Sequence, residues 1–168
     1  MTNIQTILVA CDLSSKAQKV LAYAIGLAQH LSAKLYILHV QDARDVVAIE
    51  HAFGSISSAS NVEDLQAYLN EYHHEACTYL ESLLPANCRD QIDYHIIVRQ
   101  GQPHAQIVAE VKKRGADLLV IGEGHHGYLA ERFVGTTANR LLRLLSIPMV
   151  SLRGERVSKA NQKHDKPK

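Results

Sequence analysis

A chain of 168 residues fits one domain and leaves little room for a second. Apolar residues make up 46% of it, enough for a continuous core, and with 5% aromatics and no Trp that core must be aliphatic. The net charge of +1 argues against a general nucleic-acid binder, which carries a strong basic excess.

The small surplus is local. From Arg153 onward six Lys or Arg stand against Glu155 and Asp165, so this end carries +4 and the body −3. Residues 154–168 read as a solvated, disordered basic tail and residues 1–153 as the folded domain. Cys11, Cys77 and Cys88 are odd in number, widely spaced and form no CxxC pair, which suggests neither a disulfide framework nor a zinc site. No leader-like opening and no apolar run of membrane-spanning length stand out, so a reducing cytoplasm is the expected location and a membrane is not an expected partner.

In chain order, Ile4 to Cys11 is a short apolar run suited to a strand buried on both faces. Ser14 is placed to cap a helix whose one face carries Ala17, Val20, Leu21, Ala24, Leu27, Ala28 and Leu31. Lys34 to Val40 reads as a second strand. Asp42 to Ser60, rich in Ala, Ser and Val, reads as a mobile loop. Val62, Leu65, Leu69, Tyr72, Ala76, Tyr79 and Leu83 then repeat by threes and fours along a long helix. Ile92 to Val98 is the third strand. Pro103 suits the first turn of a helix carrying Ile107, Val108 and Val111, and Gly115 ends it. Leu118 to Ile121 is the fourth strand, followed by a Gly-rich loop from Gly122 to Val134. A last helix buries Ala138, Leu141, Leu142 and Leu145, and Ile147 to Leu152 is the fifth strand.

Strands alternating with helices predict an α/β fold: a five-stranded parallel doubly wound sheet, order 3-2-1-4-5, with helices on both faces. Such sheets bind ligands beyond the carboxyl ends of their strands where the order reverses. Here that point lies between the first and fourth strands, at Asp12 and from Gly122 onward.

The segment Gly122-Glu-Gly-His-His-Gly127, with Gly135-Thr136-Thr137 opening the last helix, carries the chemistry. Small residues let backbone approach a ligand, and N–H groups at a helix start favour anions, so a phosphate suits the place. A Gly-rich turn before a helix is, by itself, more often just a turn.

VIGEGHHGYLAERFVGTTANRLLR followed by SIPMVSL resembles the universal stress protein signature: Gly, two residues, Gly, nine residues, then Gly with Ser or Thr. ILVACDLSSKAQKVLAYAIGLAQHLSAKLYILHV resembles the family's opening strand-helix-strand, and VRQGQPHAQIVAEVKKRGADLLVIG its third strand, helix and fourth strand. The similarity covers residues 4–153. It implies an adenine-nucleotide alpha-hydrolase-like fold and a bound ATP or AMP, with Mg²⁺ held only through the nucleotide. The resemblance places Asp12 near the adenosine, Val40 on the adenine side, Gly122 as the first motif Gly, and Gly135 with Thr136 as the closing pair. Thr137 adjoins the phosphates. It also implies a homodimer paired through the last strand. That agrees with the apolar edge Met149-Val150-Ser151-Leu152 and with Pro148 at its start.

One position departs from the pattern. Nine residues before Gly135 the second Gly falls on His125, and Gly124 stands one place early. Two readings stay open: the imidazole obstructs the phosphate path, or the loop shifts so that Gly124 takes the place and His125 donates to the phosphates.

Each candidate also has a plainer role. Asp12 can support the start of the first helix without any ligand. His39, inside a strand, reads as a hydrogen-bonded core histidine, and His73 and His74 as solvent-facing. Adjacent His125 and His126 diverge and cannot chelate one ion. Glu123 and Glu131 read as solvated carboxylates, and Arg140 and Arg143 as surface charges. Cys11 beside Asp12 has a disfavoured thiolate. No nucleophile elbow or metal-ligand spacing is present, so no catalytic residue is assigned. Three functions remain, in order: a nucleotide-binding stress-response module, a nucleotide-free dimeric interaction protein holding at most a small anion, and a true hydrolase or kinase-like enzyme with Glu123, His125 or His126 as the base near the terminal phosphate.

Overall fold

The computed structural model describes residues 3–56, 61–122 and 136–152. Its strands are β1 (Thr6–Ala10), β2 (Lys34–Asp42), β3 (Tyr94–Gly101), β4 (Leu118–Gly122) and β5 (Met149–Leu152). Its helices are α1 (Ala17–Leu31), α2 (Ala43–Ile56), α3 (Asn61–Ser82), α4 (Ala86–Arg89), α5 (Pro103–Arg114) and α6 (Thr136–Leu144). The strands form one sheet in the order β3-β2-β1-β4-β5, and every neighbouring pair is parallel. The expected fold class and strand order are both observed.

The central strand explains the layering. Successive side chains of a strand point to opposite faces, and β1 is apolar on both. Ile7 and Val9 pack with α1 and α3, and Leu8 packs with α5 and α6. All three have no exposed surface. Burial of each contributes about 1.5–3 kcal/mol, which requires helices on both sides. Pro103 stands at the start of α5, and Gly115 closes it in the left-handed region at φ 61°, as the sequence indicates.

Four expectations change. Residues 43–56 of the expected mobile loop form α2. Asp42 caps it, its Oδ1 accepting the Arg44 N–H at 2.9 Å, and Asp45 adds negative charge to the first turn. Half-buried Ala43, Val46 and Ile49 follow at spacing three. Leu142, expected in the core, is 62% exposed, because α6 packs through Ala138, Leu141 and Leu145. Leu31 is likewise exposed at the end of α1. Ser14 lies one turn ahead of α1 rather than at its cap: its carbonyl accepts the Ala17 N–H at 3.0 Å, and its Oγ accepts the Lys16 N–H at 3.3 Å. The predicted tail 154–168 lies outside the described residues.

Glu110 of α5 is the one buried carboxylate among the described residues, 3% exposed. It bridges Arg99 of β3 (Nε to Oε1, 2.8 Å) and Arg114 (Nε to Oε2, 3.1 Å). Burial alone would raise its pKa, but hydrogen bonds and charge from the two guanidiniums outweigh burial and hold it below the ordinary 4.5. Its folded pKa is thus below its unfolded one, so its stabilisation is complete above 4.5 and is lost as pH falls through the folded value. Glu110→Gln should lower stability near neutral pH by about 1–3 kcal/mol and flatten the acid limb of the stability profile in urea melts. A variant that keeps the wild-type acid slope would clear Glu110 of this role.

Candidate functional site

Strand register brings three of the candidate residues to one rim. Ala10 lies opposite both Leu38 of β2 and Ile121 of β4. The ladder continues one step, with the Cys11 N–H donating to the Leu38 carbonyl at 2.9 Å. Asp12, just past β1, therefore sits level with Val40 near the end of β2 and beside Gly122, the last residue of β4, where the strand order reverses. Because α6 connects the parallel strands β4 and β5, it runs back across the sheet and starts at this same edge. Thr136 and half-buried Thr137 open it, and the first turn of a helix presents N–H groups that its own ladder does not use. Gly124, His125 and Gly135, together with Glu123, His126 and Glu131, lie outside the described residues.

Each of the described rim residues also has work inside the fold. Asp12 is half-buried, and its Oδ1 accepts the Ser14 N–H at 3.2 Å and the Ser14 hydroxyl at 2.6 Å. This closes the turn that leads into α1, the plainer role expected of it. Gly122 is required by packing, since a Cβ there would stand 2.8 Å from Cγ2 of Val20 on α1. Val is stiff at χ1 and cannot swing clear without moving its helix.

Behind the rim lies a buried polar chain. The Nδ1 of His39 is 3.0 Å from the Cys11 carbonyl and its Nε2 is 2.9 Å from the Tyr72 hydroxyl of α3. A carbonyl only accepts, so Nδ1 carries the proton, and Nε2 accepts from Tyr72. Burial lowers the pKa of His39 despite the Cys11 hydrogen bond and the nearby Asp12 charge, so the ring is neutral, the core histidine that its position predicts. Cys11 is pushed up to about 12, by burial first and by Asp12 second, which removes it as a nucleophile near neutral pH. His73 and His74 face solvent, as do Arg140 and Arg143, and Arg140 comes within 3.4 Å of His104 on α5. Among the described residues no group of three or more His, Cys, Asp or Glu could hold a metal ion.

Three participants are not legible as such in the sequence: Ser14 as a carboxylate partner, Tyr72 and Gln41. Gln41 follows Val40 and shares a strand face with His39. It is 3% exposed, and its Oε1 has no hydrogen-bond partner. An acceptor left in this state costs about 1–3 kcal/mol.

A sequence profile described as the universal stress protein family matches residues 3–153. The chain belongs to that family. Among its relatives, universal stress protein YxiE of Bacillus subtilis (strain 168) is 26% identical over 148 residues, 87% of this chain and 97% of YxiE. The protein designated MJ0577 superposes with a TM-score of 0.69 at 19% identity, over 92% of this chain and 99% of its own. A universal stress protein solved in complex with cAMP gives 0.57 at 19% identity, over 90% and 98%. These two structures establish the shared fold. In this member of the universal stress protein family the first motif glycine, Gly122, thus already has a structural reason to be glycine.

Gly122→Ala should destabilise the protein by about 1–3 kcal/mol, with part of the loss returned in a Val20→Ala background. Strictly additive losses in that double-mutant cycle would mean that α1 does not impose the glycine.

Proposed function

We propose that this chain binds an adenine nucleotide, ATP or AMP, at the rim formed by β1, β2, β4 and the start of α6, and acts as a stress-response regulatory module in the cytoplasm. The observation that carries this reading is the convergence of Asp12, Val40 and Gly122 with the N-terminus of α6 where the strand order reverses, the place ligands take in open α/β sheets. Asp12 would meet the ribose side and the backbone at Val40 the base. Gly122, Gly124, His125, Gly135, Thr136 and Thr137 would hold the phosphates, with Mg²⁺ bound only through them. The residues present fit such a group: the N-terminus of a helix suits an anion, and Gln41 keeps an acceptor without a partner. That one family member has been solved with cAMP supports the choice of an adenine ring. Cys11, held as a thiol, offers the rim no nucleophile near neutral pH, and the role proposed is binding, with at most slow ATP hydrolysis. Residues 1–153 would be the domain, and 154–168 a solvated basic tail.

Mass spectrometry of small molecules released on denaturing the purified chain should find stoichiometric adenine nucleotide, or calorimetry a micromolar ATP affinity. Gly135→Val and Thr136→Val should each abolish it. An empty protein that ignores ATP would favour the second reading, a nucleotide-free interaction protein, for which His125 in the second glycine position is the specific warrant.

We also propose that β5 pairs with its copy in a homodimer. The Pro148 carbonyl accepts the Leu119 N–H at 3.1 Å, so by strand alternation the backbone groups of Met149 and Ser151 face outward from the sheet edge. Ser151→Pro removes an outward donor while sparing the ladder to β4. Light scattering should then report a dimer for the wild type and for Ser151→Ala, and a monomer for Ser151→Pro. A dimeric Ser151→Pro would dismiss the β5 edge.

A further inference from the structure

His39, two residues before Gln41 and on the same strand face, has no donor to spare. Both ring nitrogens of His39 are engaged, by the Cys11 carbonyl and the Tyr72 hydroxyl. Asp42, the next residue, gives Oδ1 to the first turn of α2 and both oxygens to the Arg44 guanidinium. The carboxylates of Asp42 and Asp12 only accept, so neither can partner another acceptor. Among the described residues, Gln41 Oε1 is the one buried side-chain nitrogen or oxygen without a partner. It belongs to the residue beside Val40, at the end of β2, on the side of the rim where the base would lie.

An amide oxygen only accepts, so its missing partner is a donor. Because Oε1 is sealed from solvent, a ligand reaches it only as neighbouring side chains give way, and the bond forms on binding.

We infer that Gln41 is a specificity residue, its Oε1 accepting a hydrogen bond from the exocyclic amino group of the base and disfavouring a base with an oxo group there; this rests on the nucleotide-binding reading above. An oxo oxygen would face the Gln41 oxygen acceptor to acceptor, and turning the amide to meet it would strand one N–H. A buried hydrogen-bonding group discriminates in this way because the wrong ligand leaves it unpaired.

The test is calorimetry on the full chain with AMP against IMP and ATP against ITP, which differ at that exocyclic position. The wild type should prefer the amino base by roughly ten-fold. Gln41→Leu, and Gln41→Met as a second variant in case Leu packs badly, should weaken AMP and ATP and bring the amino and oxo ligands level. Without ligand, both variants should melt at or above the wild-type temperature, since an unpaired buried acceptor is removed. Equal wild-type affinity for the two bases overturns the inference, and so does a preference that survives in the variants, the result expected if an internal water satisfies Oε1. In those cases the nucleotide reading stands. If neither AMP nor ATP binds the wild type, both readings fall together.

Discussion

Burial of β1 on both faces is the constraint on which the rest of this structure depends. Ile7, Leu8 and Val9 have no exposed surface, and no arrangement with helices on one side alone could achieve that. A strand of this kind must lie inside a parallel sheet, with crossovers descending on both faces. The chain meets the requirement by building outward from β1 through β2 to β3 and then returning to the other flank for β4 and β5. The break in direction beside β1 follows directly, and with it a crevice that no crossover covers. The rim is thus a consequence of packing one apolar strand.

The same packing gives two of the rim residues work of their own. Asp12 closes the turn into α1 through Ser14, and Gly122 makes room for Val20. Either residue would be in place if the protein never met a ligand. More informative are groups that the fold leaves without work. The Oε1 of Gln41 is one, and it lies toward the edge of the sheet at which α6 starts. A helix start suits an anion and the amide oxygen a donor, the two chemistries found at opposite ends of a nucleotide that carries an amino base.

Much of this architecture is legible in the residues because period reports it directly. The double-sided run at β1, the apolar stripe from Ala17 to Ala28 and the Pro103 and Gly115 boundaries of α5 all correspond to observed elements. The rim positions are legible for the same reason, since register follows from where the strands end. Helix α2 is hidden by composition. Asp42 looks like the start of a loop when it is in fact a cap, and the Ala- and Ser-containing stretch after it obscures the spacing of Ala43, Val46 and Ile49. Leu142 is misjudged because a residue one place beyond Leu141 falls off the narrow stripe with which α6 meets the sheet and α5. The state of Gln41 is illegible in principle. Its unpaired oxygen depends on where the donors of the folded chain are spent, as the His39 ring N–H is on the Cys11 carbonyl, which is a property of the assembled neighbourhood.

The two sides of the rim are held by different physics. On the β1–β2 side, the Cys11 carbonyl, His39 and Tyr72 tie two strands to α3 through hydrogen bonds in a buried setting, where bonds are strong and a broken one is costly. The neutral state of His39 preserves this tie, because the ring can donate at one nitrogen and accept at the other only while it carries a single proton. On the β4 side, Gly122 is fixed by strand pairing and by contact with Val20, and the chain leaves the sheet there before α6 begins. If the chain binds a nucleotide as proposed, base recognition would fall to the hydrogen-bonded flank, where a misplaced acceptor could not easily relax to accommodate the wrong ligand. Phosphate recognition would fall to the start of α6, where attraction for an anion is less demanding of geometry. A departure such as His125 in the phosphate segment would then bear on how tightly a nucleotide is held, while the choice of base would be made across the sheet at the end of β2.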